Sequence, residues 1–563
     1  MINFIKKNLD IIIYLFIFVL FYKSLFFYGD FVRDDWSIKS LYHLNFFEAL
    51  KGIFGPFSNR PFAALFFAIT SRFSDEFIFY LSLNFVLIFI SSYLIISSLY
   101  FINISNKIKN FYVFLTLFPL FSYSVIFSSG MQITGNLSVL IWSFSFYLQN
   151  QFITKNKFLS LIISNLFILL MLLTYESALP LLSLNIMFLF FFKRDHIFKY
   201  FFILILTIIL GTIIQKVVIG NFYPDISRLR IENLSFNKIL FYFFGNGALL
   251  INNFFVLFQN FFSSIKNIFV NKLFFSEYLL IIILLYFVIF NKTQNIKKDI
   301  QDKKKIILFS VTSLILCFLF IVLIHTLALS GTNIYGYNNR ALISVSFILP
   351  LFLIIIGETL KPRNSKILYF FYILIVFTNY ILILDKNVEY VKYRNSTIKT
   401  IISEYKGNTD KKNYVLFIDH YGHKDRIYQK VTFINDNFDY RHLLEIESKG
   451  SLMGTSINNN KYCNKTFWDN YFKTYVKKWF NKNNNIYIVD PKNSDFKFNL
   501  FNDLNEVWLY LDKNLKCEIQ PSTQENINIY LKKKGNQNFI NDSLLLKFGI
   551  KFYYKYLSKN FVE

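Results

Sequence analysis

Long apolar runs alternate with short polar segments over the first two thirds of the chain. A helix of about 20 apolar residues crosses the ~30 Å hydrocarbon core of a bilayer, and shorter runs cross where the membrane is thin. The pattern predicts a polytopic α-helical membrane protein with about 11 transmembrane helices. The predicted spans are 11–28, 77–101, 111–127, 136–149, 158–174, 177–192, 200–219, 278–290, 306–329, 341–357 and 367–384.

Lysine and arginine are concentrated in alternate loops between these runs. Lys6 and Lys7 precede the first run. The other basic loops are 102–110, 150–157, 193–199, 291–305 and 358–366. Because positively charged loops stay on the cytoplasmic side of a membrane, we predict that these loops are cytoplasmic. An odd number of spans then places the C-terminal region outside.

The segment 239–262 is also apolar enough to cross, and one more span would reverse the side of every later loop. Gly245, Gly247 and the Asn252-Asn253 pair interrupt it. Polar or irregular backbone at membrane depth requires protein or water around it. We therefore predict a re-entrant or surface-lying pair of short helices here.

The composition changes at about Asp385, from long apolar runs to a sequence rich in Lys, Asn and Asp. This change predicts two domains, a transmembrane domain over 1–385 and a soluble extracytoplasmic α/β domain over 386–563. An amphipathic stretch over 389–405 leads into the second domain. Strands are predicted at 414–418, 486–489 and 527–531, with a helix over 466–480.

The chain has 54% hydrophobic residues and a formal net charge of +25. Basic chains attract nucleic acid when their charges share one face. Here the charges divide between the predicted cytoplasmic loops and the C-terminal third, so we expect membrane lipids and no nucleic acid as partners. Cys317 lies in a span, whereas Cys463 and Cys517 share the C-terminal domain. Whether these two form a disulfide depends on export of that domain.

Two adjacent carboxylates, Asp34 and Asp35, follow the first span in the sequence Tyr28-Gly29-Asp30-Phe31-Val32-Arg33-Asp34-Asp35-Trp36. Like charges this close raise the pKa of one of them. One carboxylate is then an ionised base while the other orients a substrate or holds a metal. The alternative is that one Asp only caps the following helix, but a cap requires one Asp and not two. We predict that Asp34 and Asp35 are the catalytic residues.

The carboxylate pair, directly after the first span and followed by an Asn59-Arg60-Pro61 turn, resembles the GT-C superfamily of integral-membrane glycosyltransferases. Multiple spans, a long helical first exterior loop and a soluble C-terminal domain on the same face match the layout of that family. The Asn-Arg-Pro turn resembles the Gly-Arg-Pro turn of some bacterial members, with Asn in place of Gly. The resemblance covers the whole chain in layout but only these few residues in sequence.

The resemblance implies a polyprenyl-phosphate sugar donor and a glycan, lipid or protein acceptor of the cell envelope. A carboxylate acts as general base on the acceptor hydroxyl, which attacks the anomeric carbon with inversion. The reaction takes place at the exterior face of a bacterial cytoplasmic (inner) membrane. The family contains members that work without a metal, so a divalent cation, Mg or Mn, stays open as a cofactor.

Positive charge beside the leaving phosphate stabilises it, and Arg offers a planar fork for phosphate oxygens. Arg60, Lys216 and Arg340 are the candidates on the predicted exterior side. Lys216 ends the seventh span, where a lysine also reaches the interface by snorkelling. Arg340 opens the tenth span, where its alternative role is an interfacial anchor. We count all three as predicted substrate-binding residues.

Glu176 and His325 complete the predicted substrate site. A carboxylate in the apolar turn between the fifth and sixth spans is costly unless it meets a partner or a wet cavity. Glu176 therefore orients an acceptor, binds a metal or pairs with an Arg. His325, one turn below the end of the ninth span, is either a ligand or a satisfied bundle histidine. Gln132 and Asn136 are either sugar contacts or polar residues of helix interfaces.

Two other classes of protein remain open. A polysaccharide polymerase or ligase that uses diphosphate-linked glycans also has exterior Arg residues, but it places its large functional loop between later spans. A flippase or transporter has interrupted helices and polar groups near the membrane centre. In the C-terminal domain, Asp419-His420-Tyr421-Gly422-His423 has metal-ligand residue types but no second ligand set beside it, so strand-end polarity explains it better than zinc. The chain has no Gly-rich phosphate loop.

Overall fold

The computed structural model places most of the apolar runs in helices. It describes residues 9–31, 39, 41–54, 57, 60–99, 105–127, 129–130, 132–155, 157–192, 197–214, 303–327, 342–360, 362–405, 413–418, 443–449, 451–457, 473–483, 485–490 and 497–515, together with parts of 239–261. The predicted span 278–290 and the predicted strand 527–531 lie outside these ranges.

Among the described residues, the helices in the first half of the chain include α1 (Leu9–Tyr28), α2 (Phe46–Phe54), α3 (Pro61–Thr70), α4 (Phe77–Ser98), α5 (Asn106–Thr116), α6 (Ser124–Phe127), α7 (Ile133–Lys155), α8 (Phe158–Leu172), α9 (Leu182–Phe192) and α10 (Ile197–Ile213). Those in the second half include α11 (Lys303–Leu327), α12 (Ile343–Thr359), α13 (Pro362–Glu404), α14 (Lys473–Asn483) and α15 (Leu504–Asn514). The 3₁₀ turns Leu120–Ser122 and Glu176–Leu181 precede α6 and α9.

Four of the described helices, α1, α4, α11 and α13, are long and apolar enough to cross a membrane. Shorter apolar helices include α3, α8, α10, α12 and the continuous stretch Glu176–Phe192. The structure therefore agrees with a helical membrane protein that carries a small sheet. The count of 11 spans stays a prediction.

The predicted span 111–127 is not one helix. Helix α5 ends at Thr116, and a break around Pro119 separates it from the 3₁₀ turn and α6. Proline has no N–H to donate and its ring clashes with the preceding turn, so a helix breaks there. The carbonyl of Leu117 accepts a hydrogen bond of 2.6 Å from the Tyr22 hydroxyl of α1, which compensates the break. The Tyr22 oxygen also lies 2.8 Å from the hydroxyl of Tyr380 in α13.

The predicted domain boundary at Asp385 falls inside α13, a helix of 43 residues that begins at Pro362 and ends at Glu404. The composition change therefore does not mark the end of this helix. The amphipathic stretch predicted over 389–405 is the last part of the same helix.

A four-stranded sheet follows α13. Its strands are β1 (Asn413–Ile418), β2 (Leu452–Ile457), β3 (Ile486–Asp490) and β4 (Lys497–Phe501), in the order β2-β1-β3-β4. Strand β1 is parallel to β2 and β3, whereas β4 is antiparallel to β3. The predicted strands 414–418 and 486–489 correspond to β1 and β3, and the predicted helix 466–480 overlaps α14. The strands β2 and β4 were not predicted.

One face of the sheet shares the apolar core of the helices, whereas the other face packs with α14 and α15 in a separate cluster. Ile398 and Ile401 of α13 are fully buried in the same cluster as Val415 and Phe417 of β1. At the end of α13 the ring of Tyr405 lies 5.5 Å from that of Tyr487 in β3 and 5.9 Å from that of Phe498 in β4. The sheet is thus packed directly on the last turns of a membrane-length helix.

Candidate functional site

The loop that carries the predicted catalytic pair leaves α1 through a glycine. A Cβ on Gly29 would collide with the carbonyl oxygen of Leu25 and lie 2.5 Å from the ring of Phe77, so only glycine fits. Phe31 is buried and packs edge-on against Phe77, at a centroid distance of 5.9 Å. The first residues of the loop are therefore fixed against the start of α4. Asp34 and Asp35 themselves lie outside the described residues.

Asp30 is held by two side chains of α13. Arg394 Nη2 donates to Asp30 Oδ2 at 3.0 Å, and Asn395 Nδ2 donates to the same oxygen at 3.0 Å. Arg394 Nη1 donates to the carbonyl of Phe31 at 2.8 Å. The Arg394 side chain is fully buried, whereas that of Asp30 keeps 25% of its exposure. We call these four residues the Asp30–Arg394 cluster; it ties the start of the loop to α13.

Arg60 and Glu176, both predicted site residues, form an ion pair across 116 positions of sequence. Arg60 Nε donates to Glu176 Oε2 at 3.0 Å and Arg60 Nη2 donates to Glu176 Oε1, which is the two-point geometry of an Arg fork on a carboxylate. The guanidinium carbon also lies 4.2 Å from the ring centroid of Tyr175. The Arg60 side chain is 13% exposed and that of Glu176 is 43% exposed.

Local structure explains why these two residues meet. Pro61 starts α3, a position that suits proline because its missing N–H has no helical partner there. The next residue, Phe62, donates its backbone N–H to the carbonyl of Leu173 at 3.2 Å. This bond joins the start of α3 to the turn between α8 and Glu176. The Arg60 side chain therefore lies beside Glu176, the first residue of the 3₁₀ turn.

The other predicted residues divide into two groups. Lys216 and Arg340 lie outside the described residues. His325 is buried in the last turn of α11, a helix that packs against the turn Glu176–Leu181. At the start of α12, Ser344 donates to the carbonyl of Ser177 at 2.8 Å. The end of α11 and the start of α12 therefore lie at the same end of the helices as the Arg60–Glu176 pair.

Asn136 is part of a helix interface. It is 2% exposed and donates to Asn84 Oδ1 of α4 at 2.6 Å, while Asn84 donates to the carbonyl of Val125. Gln132 is buried at 6% exposure. Of the two readings given for Asn136, the structure therefore favours helix packing over sugar contact.

Asp30, Arg394 and Asn395 are the site residues that the sequence did not reveal. Asp30 stands four positions before Asp34, and this proximity was the only available signal. Arg394 lies in an amphipathic stretch that also contains Lys392 and Lys399. The sequence around a buried arginine in such a stretch does not differ from that around a solvated one. In the part of the chain that the structure describes, no group of three or more His, Cys, Asp and Glu side chains is arranged to hold a metal.

The described site thus joins three parts of the chain at one end of the helices: the first loop, the turn at Glu176 and the C-terminal part of α13. Both ion pairs use a guanidinium against a carboxylate, one buried and one partly open to water. No protein-family model, curated protein or solved structure matches this chain.

Proposed function

We propose that this protein is an inverting, GT-C-like glycosyltransferase with about 11 spans. It moves a sugar from a polyprenyl-phosphate donor to an envelope glycan, lipid or protein on the exterior face of a bacterial cytoplasmic membrane. Asp34 takes the proton of the acceptor hydroxyl, whose oxygen forms a bond to the anomeric carbon. The bond from that carbon to the phosphate oxygen breaks, and the lipid phosphate leaves with the electron pair. Asp35 supports the base.

The observation that carries this proposal is the pairing of Arg60 with Glu176. Both residues were selected from the sequence on chemical grounds, and they are in contact although 116 positions separate them. They lie at the same end of the helices as the C-terminal end of α1, which is followed by Asp30, four positions before Asp34. Transfer from a lipid phosphate uses a carboxylate as the base and a positive charge beside the leaving phosphate, and both kinds of group are proposed on the exterior side.

The two-point bond gives Glu176 a positioning role. Glu176 fixes the plane of the guanidinium, and the ring of Tyr175 supports the guanidinium at 4.2 Å. A paired arginine attracts a phosphate less strongly than an isolated one because the carboxylate cancels its net charge. We therefore assign stabilisation of the leaving phosphate to Lys216 and Arg340 together with Arg60.

The buried polar groups deeper in the described helices hold helices together. Trp142 Nε1 donates to Asn185 Oδ1 at 2.8 Å, and Asn185 donates to Gln149 Oε1. All three side chains are fully buried. Their hydrogen bonds join α7 to α9, which is the ordinary use of polar residues between membrane helices.

The proposed reaction is tested by transfer assays in membranes that contain the full chain. Labelled polyprenyl-phosphate sugars are supplied as donors, and Asp34→Asn and Asp35→Asn are compared with the unmodified chain. We expect at least one substitution to lower the rate by 10²–10⁴-fold, as loss of a general base does. We expect Arg60→Gln mainly to raise the donor KM, because the site loses a positive charge beside the donor phosphate.

Asp75→Asn is the matched control, because Asp75 lies between α3 and α4 at the same end of the helices and has no assigned role. Full activity of both loop variants would exclude the catalytic assignment. Transfer from diphosphate-linked donors alone would instead support the polymerase or ligase alternative.

A further inference from the structure

A cavity of about 800 Å³ lies between α9 and α11, at the end of these helices away from Glu176. Its walls are Phe190 and Phe191 of α9 and the residues Lys304, Lys305, Ile307, Leu308 and Val311 of α11. From Glu176 the chain rises through the 3₁₀ turn to Leu182 and then through α9 to Phe192. At ~2.0 Å per residue in the turn and ~1.5 Å in the helix this is about 27 Å, close to the thickness of a hydrocarbon core.

The cavity has a charged rim and an apolar wall. Lys304 is exposed and Lys305 is half-buried, and both lie in the first turn of α11. Lys305 Nζ is 5.1 Å from the ring centroid of Phe192. Below the lysines the wall is apolar and open, with Leu308 53% exposed and Phe190 38% exposed.

The electrostatics of this rim favour an anion. Residues 291–305 contain six lysines and two aspartates. The lysines at the start of α11 stand where the helix dipole is positive, so dipole and side chains repel one another. Of the described residues, those in the first turn of α11 include no acidic side chain; Asp302, directly before it, lies outside the described residues. An anion bound between Lys304 and Lys305 relieves the repulsion.

We propose that this cavity is a binding site for an anionic phospholipid. The headgroup phosphate binds Lys304 and Lys305, and one acyl chain lies along Leu308, Val311 and Phe190. The charge rule places these lysines at the cytoplasmic surface, where anionic lipids attract basic residues. The site does not depend on the proposed transfer reaction, which is assigned to the opposite end of the same helices.

A phospholipid fits better than a protein partner or a soluble phosphate compound. The apolar wall continues the surface of α11, one of the helices apolar enough to cross a membrane. Such a surface lies among acyl chains, so a ligand there has a hydrocarbon part. A soluble phosphate would use the lysines and leave the apolar wall uncovered.

The proposal is tested by native mass spectrometry of the full chain in a neutral detergent, titrated with dioleoyl phosphatidylglycerol or dioleoyl phosphatidylcholine. We expect phosphatidylglycerol to bind more tightly. The double variant Lys304→Gln/Lys305→Gln should weaken its binding by about 30-fold, the attraction expected for two lysines at an anionic surface. Leu308→Asn should weaken binding of the dioleoyl lipid more than that of a short-chain analogue.

Lys107→Gln/Lys109→Gln is the matched control. Lys107 is exposed and Lys109 half-buried in the first turn of α5, and both lie on the predicted cytoplasmic side. This variant loses the same charge and should keep the full affinity. Equal binding of both lipids, unchanged affinity of the Lys304/Lys305 variant, or complete competition by inorganic phosphate would each overturn the proposal.

Discussion

Arg394 and Arg60 are each paired with a carboxylate, but they differ in their access to water. Arg394 has no exposed side-chain area, whereas Glu176, the partner of Arg60, is 43% exposed. A buried charge that loses its partner costs far more than an exposed one, because water does not replace the lost bonds. The Asp30–Arg394 cluster therefore has the larger effect on stability, and the Arg60–Glu176 pair is the more accessible to a ligand.

We expect Asp30→Asn to destabilise the protein by about 3 kcal/mol, at the lower end of the range for a broken buried pair because Asp30 is partly exposed. Arg394→Lys should also be destabilising. A lysine has one point charge on a flexible stem and does not reproduce the separate bonds to Asp30 and to the carbonyl of Phe31. Unfolding of the purified chain, followed by circular dichroism, measures both effects.

Asp75→Asn again is the reference, since it removes a carboxylate from the same end of the helices. If Asp30→Asn is no less stable than this reference, the charge of Arg394 is compensated elsewhere and the cluster does not anchor the loop.

At the residue scale the sequence predicted which side chains belong to the site, but not which of them contact one another. Glu176 stood out because a carboxylate in an apolar turn needs a partner, and pairing with an Arg was one of the roles proposed. Nothing in the linear sequence indicated that the partner was Arg60, since the contact depends on how α3 packs beside the turn after α8. Arg394 was missed because burial of an arginine is decided by the neighbouring helix.

At the scale of elements, apolar runs located most helices but not their ends. Hydropathy is averaged over a window, so it passes through Pro119, where α5 ends, and it drops at Asp385, where α13 continues. The strand β2 was missed for a related reason. Its Gly, Thr and Ser residues make Leu452–Ile457 look polar, although all six positions are buried. At Gly454 a Cβ would collide with the carbonyl of Val415, so close strand packing selects glycine there.

The polar contacts between helices give a prediction at this scale. Asn185→Ala removes the hydrogen bonds of the amide with Trp142 and Gln149, which join α9 to α7. Polar contacts between membrane helices contribute on average about 0.6 kcal/mol each, so we expect a loss of about 1–2 kcal/mol. Thermal unfolding in detergent measures this loss.

Asn165→Ala provides the comparison, because Asn165 is also buried but its side-chain amide donates to the carbonyl of Leu161 in its own helix at 2.9 Å. We expect a smaller effect there. Equal losses in the two variants would mean that cavity formation, rather than the bond between helices, determines the cost.

At the scale of the whole molecule, the Asp30–Arg394 cluster indicates which parts of the chain lie on the same side of the membrane, and this inference does not depend on the number of spans. Asp30 follows the end of α1 by two residues, and Arg394 lies ten residues before the end of α13. Their contact brings the first loop and the base of the sheet to the same side. The sequence reached the same arrangement by counting basic loops, an inference that a single additional span at 239–262 would have reversed.

Single cysteines test this arrangement in cells. In a chain with Cys317, Cys463 and Cys517 replaced by serine, cysteines are introduced at Lys51 of α2, Ser403 of α13 and Lys157 before α8, all of which are exposed. We expect a membrane-impermeant maleimide added outside to label the first two and not the third.

The contact between Asp30 and Arg394 requires that Lys51→Cys and Ser403→Cys behave alike, whereas the charge rule alone decides that they face outward. Labelling of Lys157→Cys alone would reverse the orientation and leave the fold intact, but labelling of only one of the other two would contradict the packing of α13 against the first loop.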